Sequence, residues 1–240
     1  MWHGRRVSVV LPAFNEEANV AEAVADFERC EYVDEIVVVD NNSTDGTAAR
    51  VACTHARLVH ETRQGLGWAL RRGLEEAKGD YLILAEPDGT FLARDALKLL
   101  AYAEDFNVVL GTRTTRELLW SEANMGWFLR LGNILVAKLL EVFYGGPSLS
   151  DCGCTLRLID RAFLAKITPH LSVGGSHFLV DMTICALAQR LSVIEIPVNY
   201  RGRVGVSKIT GTLRGTFVTG GRMLALIVGR RLRPRHGMTR

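Results

Sequence analysis

The feature that most constrains this chain is an alternation over residues 7–111, in which short apolar runs take turns with segments of helical spacing. Val7-Ser-Val-Val-Leu11 and Glu35-Ile-Val-Val-Val39 are almost wholly apolar. Strands buried on both faces read this way, which implies a parallel sheet covered by helices. Between them, Glu16 to Cys30 sets Val20, Ala23, Val24 and Phe27 on one helical face. Ser43 or Thr44 is placed to cap a helix running to Cys53. Arg57–His60, Asp80–Ala85 and Asn107–Gly111 read as strands, with Gly65–Lys78 and Asp95–Glu104 as helices between them. Beyond Gly111 the texture changes. Asn124–Phe143 reads as a long helix, Gly145–Ser150 as a loop, Phe178–Arg190 as a helix and Val193–Pro197 as a strand. One or two amphipathic helices are expected over 209–232. The expected class is α/β: an open, mostly parallel sheet with helices on both faces, plus C-terminal amphipathic helices. No linker interrupts the chain, so the expected organisation is one domain over 1–208 with a basic helical appendage over 209–240.

Composition narrows the function. Of 240 residues, 48% are apolar and 23% charged, which excludes disordered and fibrous classes. The net charge of +3 conceals an asymmetry. Residues 201–240 carry ten basic residues and no acid, while the first 200 carry 19 basic residues against 26 acids. A basic tail on an acidic body points to an anionic membrane surface or to phosphates. Nucleic acid is not expected, because the tail has neither interleaved aromatics nor a groove-reading motif. Five cysteines is an odd number, and no secretory leader precedes Val7. Reduced thiols and a cytoplasmic setting are therefore expected. Cys152 and Cys154 have no partner pair at zinc spacing. No uncharged apolar run approaches the roughly 18–20 residues that span a bilayer, so any membrane contact is expected to be peripheral, on the cytoplasmic face.

In open α/β sheets, ligands collect at the carboxyl ends of the strands. Three such ends here bear acids. Leu11 is followed by Pro12-Ala-Phe-Asn-Glu16, Val39 by Asp40-Asn-Asn-Ser-Thr-Asp-Gly46, and Ala85 by Glu86-Pro-Asp88. A fourth, Gly111, is followed by Thr112-Arg113. One acidic turn is ordinary, but three on one sheet edge describe a cleft with carboxylates at its floor. Glu86 and Asp88, two residues apart on extended chain, point the same way. Such a pair offers hard oxygen ligands to Mg²⁺ or Mn²⁺, with substrate phosphates completing the shell.

These segments, together with Gly79-Asp-Tyr81 and Arg203-Val-Gly-Val-Ser-Lys208, stand in an order that resembles the family 2 glycosyltransferases of GT-A fold. The likeness is strongest to the polyprenyl- or dolichyl-phosphate mannosyl- and glucosyltransferases and covers residues 7 to about 210. The resemblance implies that Pro12, Phe14, Glu16, Val38 and Asp40 hold the nucleoside, that Glu86 and Asp88 form the metal motif, and that Pro87 between them borders the nucleotide sugar. It implies that Arg113, Arg203 and Lys208 surround the diphosphate or acceptor phosphate. Arg130, Asp151, Arg157 and Ser207 fall in the acceptor half. Three departures from the family pattern stand out: Asn41 replaces a second Asp, Glu86 replaces the first motif Asp, and Gly89 and Thr90 stand where the lipid-phosphate enzymes often carry a Leu and a Gln. Asp151-Cys-Gly-Cys-Thr-Leu-Arg157 is an unusual acceptor motif.

The implied reaction moves a hexose from GDP-mannose or a UDP-sugar to a polyprenyl phosphate with inversion and without a covalent intermediate. Asp88, Arg113 and Arg203 are its expected catalytic residues. A lipid phosphate is already an anion and needs no general base. A hydroxyl acceptor needs one, for which Asp181 is the candidate. Two alternatives stay open at this point: a soluble or glycan hydroxyl acceptor, and a nucleotide-sugar-binding protein without catalysis.

Overall fold

The structure, a computed structural model, describes residues 1–121, 123, 126–203 and 213–232. Its seven strands are β1 (Val7–Ala13), β2 (Glu35–Asp40), β3 (Arg57–His60), β4 (Tyr81–Leu84), β5 (Val108–Thr112), β6 (Arg157–Asp160) and β7 (Val193–Pro197). They form one sheet in the order β3-β2-β1-β4-β6-β5-β7. Every neighbouring pair is parallel except those of β6, which runs antiparallel to both β4 and β5.

The helices are α1 (Val20–Glu28), α2 (Thr47–Ala52), α3 (Leu66–Glu76), α4 (Ala96–Ala101), α5 (Trp127–Tyr144), α6 (Arg161–Ile167), α7 (Phe178–Ala188) and α8 (Leu213–Leu232). Strand side chains alternate between faces, so an apolar run fills two cores at once. Val10, Val37, Val39, Leu82, Leu84 and Leu110 join a core closed by α3 and α5 to α8. Val9, Leu11, Val38, Ile83 and Val109 join the opposite core, closed by α1, α2 and α4. Burial on both faces is what the uninterrupted apolar strands required.

Two local features differ from the sequence reading. The segment after the Cys152–Cys154 loop, to which the sequence assigns no element, forms β6 and then α6. A four-residue strand carries too little periodicity to announce itself. Helix α2 starts at Thr47 rather than behind Ser43 or Thr44. Asp45 accepts hydrogen bonds from the Thr47 N–H (3.0 Å) and hydroxyl (2.5 Å), while Ser43 and Thr44 bond to Asn15.

Residues 213–232 form one helix, and it packs into the larger core: Ile227 is fully buried, and Tyr144 Oη donates to its carbonyl at 2.7 Å. Helix α3 lies flush on the sheet because Gly73 faces Val10. A Cβ there would stand 2.2 Å from Val10 Cγ1 and 3.0 Å from Val39 Cγ2. Gly73→Ala would gain about 1 kcal/mol of helix propensity. Overpacking a filled core costs about 1–3 kcal/mol. The clash wins, so the variant is expected to unfold at lower urea concentration than the parent, with an unchanged m-value.

Candidate active site

Strands β1, β2 and β4 are parallel neighbours, so their carboxyl-end loops meet at one edge. The first two loops lock together. The Asn15 N–H donates to Ser43 Oγ (3.0 Å), the Thr44 N–H to Asn15 Oδ1 (2.7 Å) and the Glu16 N–H to Thr47 Oγ1 (2.8 Å). The Gly46 N–H closes the set on Glu17 Oε2 at 3.0 Å. Asn15 and Asn42 sit at φ 53° and 62°, a left-handed conformation that asparagine tolerates better than most residues. Much of the polar sequence after β2 therefore builds the loop itself.

Against this frame opens a cavity of about 250 Å³. Pro12, Phe14 and Glu16 line it from the β1 loop, Asn41 from the β2 loop, and Gln64 to Leu66 from the start of α3. Glu86, Pro87 and Asp88 enter from the end of β4, Ser176 from ahead of α7, and Arg203 from beyond β7. The Ser176 loop reaches the site because Gly174 packs under Trp68, where a Cβ would stand 2.0 Å from the indole nitrogen.

Three carboxylates converge on one guanidinium. Arg203 meets Glu16 Oε1 at 2.8 Å, Asp88 Oδ2 at 3.1 Å and Glu86 Oε2 at 3.9 Å. The last two contacts use the same nitrogen. The other Asp88 oxygen accepts from the Thr90 N–H (3.0 Å) and hydroxyl (2.6 Å). The other Glu86 oxygen accepts from the Thr155 hydroxyl. Burial, then the Asp88 carboxylate, push Glu86 up to about 7, against the pull of Thr155, Arg113 and Arg203. Burial opposes the charge on Arg203, but Asp88, Glu86 and Glu16 hold its pKa above the ordinary value.

This donor set fits a divalent cation. A positive nitrogen already sits between Glu86 and Asp88, and the two carboxylates repel one another unless a cation stands there. Among the described residues no group of three or more His, Cys, Asp or Glu converges as a metal cage. The protein would thus supply two carboxylates, with phosphate and water oxygens making up the rest, as Mg²⁺ sites usually do.

Asn41 has a role that Asp could not fill. Its amide donates to the Glu61 carbonyl (2.9 Å) and the Arg63 carbonyl (2.8 Å), and its oxygen accepts from the Gly65 N–H (2.7 Å). It thereby pins the loop from β3 to α3 against the cleft.

Several expected site residues lie elsewhere. Val38 is buried in the core beneath α1 and does not reach the cleft, because its side chain points to the sheet face opposite α3. Asp40 precedes the cleft wall. Its oxygens accept from the Ser43 N–H (3.2 Å) and meet His60 Nδ1 (3.2 Å). Asp181 is fully buried: Oδ2 accepts from the Ser172 and Val173 N–H groups, and Oδ1 pairs with Arg230 at 2.5 Å.

Arg113 and Asp151 form a separate pair, joined by two side-chain bonds of 2.7 and 3.0 Å. Burial would lower the Arg113 pKa, yet Asp151 holds it well above the ordinary value. Arg130 donates to the Thr114 carbonyl at 3.1 Å, and its buried Nε has no partner among the described residues. Arg157 does not face a ligand. Fully buried, it donates to the carbonyls of Cys152, Cys154 and Leu179. Ser207 and Lys208 lie outside the described residues.

Sequence reasoning missed Gln64, Gly65, Leu66 and Ser176. The first three follow the end of β3, so the strand-end rule that found the other loops pointed to them too. Ser176 carries no such signal, because it reaches the cleft only through the packing of Gly174 on Trp68.

Comparison with solved structures shows that this architecture is the GT-A fold. Glucosyl-3-phosphoglycerate synthase from Mycobacterium tuberculosis, solved with Mn²⁺, UDP and glucosyl-3-phosphoglycerate, superposes with a TM-score of 0.75 over 98% of this chain and 82% of that one, at 22% identity. The family model for Glycosyl transferase family 2 matches residues 8–168, and the chain belongs to that family. A low-salt glycan biosynthesis hexosyltransferase, Agl6, of Haloferax volcanii is 31% identical over 209 residues, 85% of this chain. A dolichyl-phosphate beta-glucosyltransferase of Saccharomyces cerevisiae is 28% identical over 221 residues, 81% of this chain. The chain spans about half the length of the Haloferax protein and 66% of the yeast one.

Asn41→Asp should turn two carbonyls and a carboxylate toward one another. Each unmatched buried group costs about 1–3 kcal/mol. Scanning calorimetry is expected to show a lower Tm.

Proposed function

We propose that this chain transfers a hexose from a nucleotide-diphosphate sugar to a polyprenyl phosphate, with Mg²⁺ or Mn²⁺ held by Glu86 and Asp88. The observation that carries the proposal is the placement of both carboxylates around one nitrogen of Arg203 at the floor of the cleft. Pro12, Phe14 and Glu16 would border the nucleoside, with Asp40 supporting the adjoining loop.

A diphosphate departs only when its growing charge is neutralised. A divalent cation held by Glu86 and Asp88 would supply that neutralisation as a Lewis acid. Arg203 is held as a full cation beside it and would follow the leaving group, joined in this reading by Lys208. The acceptor attacks the anomeric carbon in a single inverting displacement. Asp181 is sealed under Arg230 with both oxygens engaged, so it is poorly placed as a base for a hydroxyl. This supports an acceptor that is already anionic. Arg130 would hold it, while Asp151 fixes Arg113 alongside, and Ser207 would serve the same acceptor by the family resemblance. The name of the yeast relative, a dolichyl-phosphate glucosyltransferase, supports the same acceptor class.

Such an acceptor lives in a membrane. Among the described residues no helix is long and apolar enough to cross one. Helices α5 and α8 instead carry exposed apolar side chains: Trp127, Leu131 and Leu135 on the first, Phe217, Leu224, Val228 and Leu232 on the second. Arg222 and Arg231 are exposed beside them, and α8 contains no acid. Apolar contact plus basic charge suits peripheral docking on an anionic, cytoplasmic leaflet.

Two experiments test the reading. With radiolabelled nucleotide sugar, membranes and Mn²⁺, label is expected in the organic phase. Label that stays aqueous across all membranes offered overturns the lipid acceptor. Asp88→Ala is expected to lower kcat/KM on the order of 10³-fold, about 4 kcal/mol, with the fold retained by circular dichroism. Donor binding by the parent without turnover on any acceptor would leave a binding protein instead. For the membrane contact, flotation with phosphatidylglycerol vesicles is expected to carry the protein, and Trp127→Ser with Leu131→Ser to reduce the floated fraction several-fold.

A further inference from the structure

β6 is the antiparallel strand in an otherwise parallel sheet, and its direction has a chemical consequence. The ladder between β4 and β6 pairs Leu84 with Arg157 and Ile83 with Leu158. Carried two residues past the end of β4, the same register sets Glu86 opposite Thr155. A parallel neighbour would put the residues after its own strand there. An antiparallel one delivers the residues before it, from the Asp151–Thr155 loop. Thr155 is 1% exposed, and its hydroxyl donates to Glu86 Oε1. The second Glu86 oxygen remains turned toward Arg203.

The loop that presents Thr155 is tied down from below. Arg157 donates from Nε and from a terminal nitrogen to the Cys154 carbonyl, from that terminal nitrogen to the Cys152 carbonyl, and from its other terminal nitrogen to the Leu179 carbonyl. Asp151 is anchored to Arg113 and accepts from the Gly153 N–H at 3.2 Å. The Gly111 N–H holds the Leu156 carbonyl at 2.9 Å. Thr155 is β-branched, with few χ1 choices, so a fixed backbone fixes the direction of its hydroxyl.

We infer that Thr155 is the positioning residue for the cation site: it grips one oxygen of Glu86 so that the other faces the position shared with Asp88. Glutamate has one more rotatable bond than aspartate and would otherwise sample several directions at the cleft floor. A buried hydroxyl bond to the carboxylate removes that freedom, as outer partners of metal ligands commonly do. This rests on the reading of Glu86 and Asp88 as cation ligands. It adds that the glutamate in the motif works because of Thr155, a residue on a different strand.

The test is Mn²⁺ binding, followed by electron paramagnetic resonance with inorganic pyrophosphate present to supply phosphate oxygens. Thr155→Val, nearly isosteric, is expected to weaken Mn²⁺ binding roughly 10–100-fold, and Thr155→Ser to restore it to within about threefold of the parent. In a Glu86→Ala background, Thr155→Val should cause little further loss, because the residue acts through Glu86. Parent-like affinity in Thr155→Val overturns the inference. So does an undiminished loss in the Glu86→Ala background, which would mark a general structural effect. If the parent itself binds no Mn²⁺ in the presence of pyrophosphate, the cation reading falls first and this inference with it. Melting temperatures of the variants, measured alongside, separate unfolding from lost alignment.

Discussion

Everything at the candidate site depends on three carboxylates held close enough to share one guanidinium. Glu16, Glu86 and Asp88 come from the ends of two adjacent parallel strands, and Arg203 from beyond the far edge strand. Opposite unit charges 4 Å apart attract by about 4 kcal/mol at an effective dielectric constant of 20, and like charges repel by as much. The Arg203 guanidinium among them offsets that repulsion, and the raised pKa of Glu86 shows how strongly its charge is opposed. In the proposed function a divalent ion would take the place between the carboxylates, and Arg203, which keeps them together here, would be freed to meet phosphate.

The second constraint is the inverted strand. Because β6 runs against β4 and β5, the loop before it lands at the same edge as the loops after β1, β2 and β4. It brings Thr155 to Glu86 and Asp151 to Arg113, so one segment touches both clusters. Arg157 holds the segment in place as a buried cation bound to carbonyl oxygens, with no carboxylate among the described residues against its guanidinium. Burial lowers its pKa to about 10, which still leaves it charged at neutral pH. The charge is kept because several carbonyls would otherwise lose their donors.

A larger share of the cleft than of the half proposed for the acceptor was legible in the sequence. Residues of the strand-end clusters after Leu11 and Ala85 line the cavity, since a parallel sheet must present those turns along one edge. The sequence and the family resemblance singled out Asp40, Val38, Arg157 and Asp181, but not the direction in which each side chain points. Val38 shows why: alternation along β2 sends it to the face opposite Val37 and Val39, which only the packing of α1 and α3 identifies as the wrong side for the cleft.

By itself the sequence determined the α/β alternation, the two-sided burial of the strands and the acidic edge where they end. These follow from side-chain periodicity and from turn chemistry within a few residues of each strand. Tertiary structure alone decided that β6 is antiparallel, that Arg157 and Asp181 are sealed inside, and that Thr155 meets Glu86 across 69 positions of chain. Those pairings are set by which strand finds which neighbour, a competition among distant contacts that leaves no periodic trace in a four-residue strand.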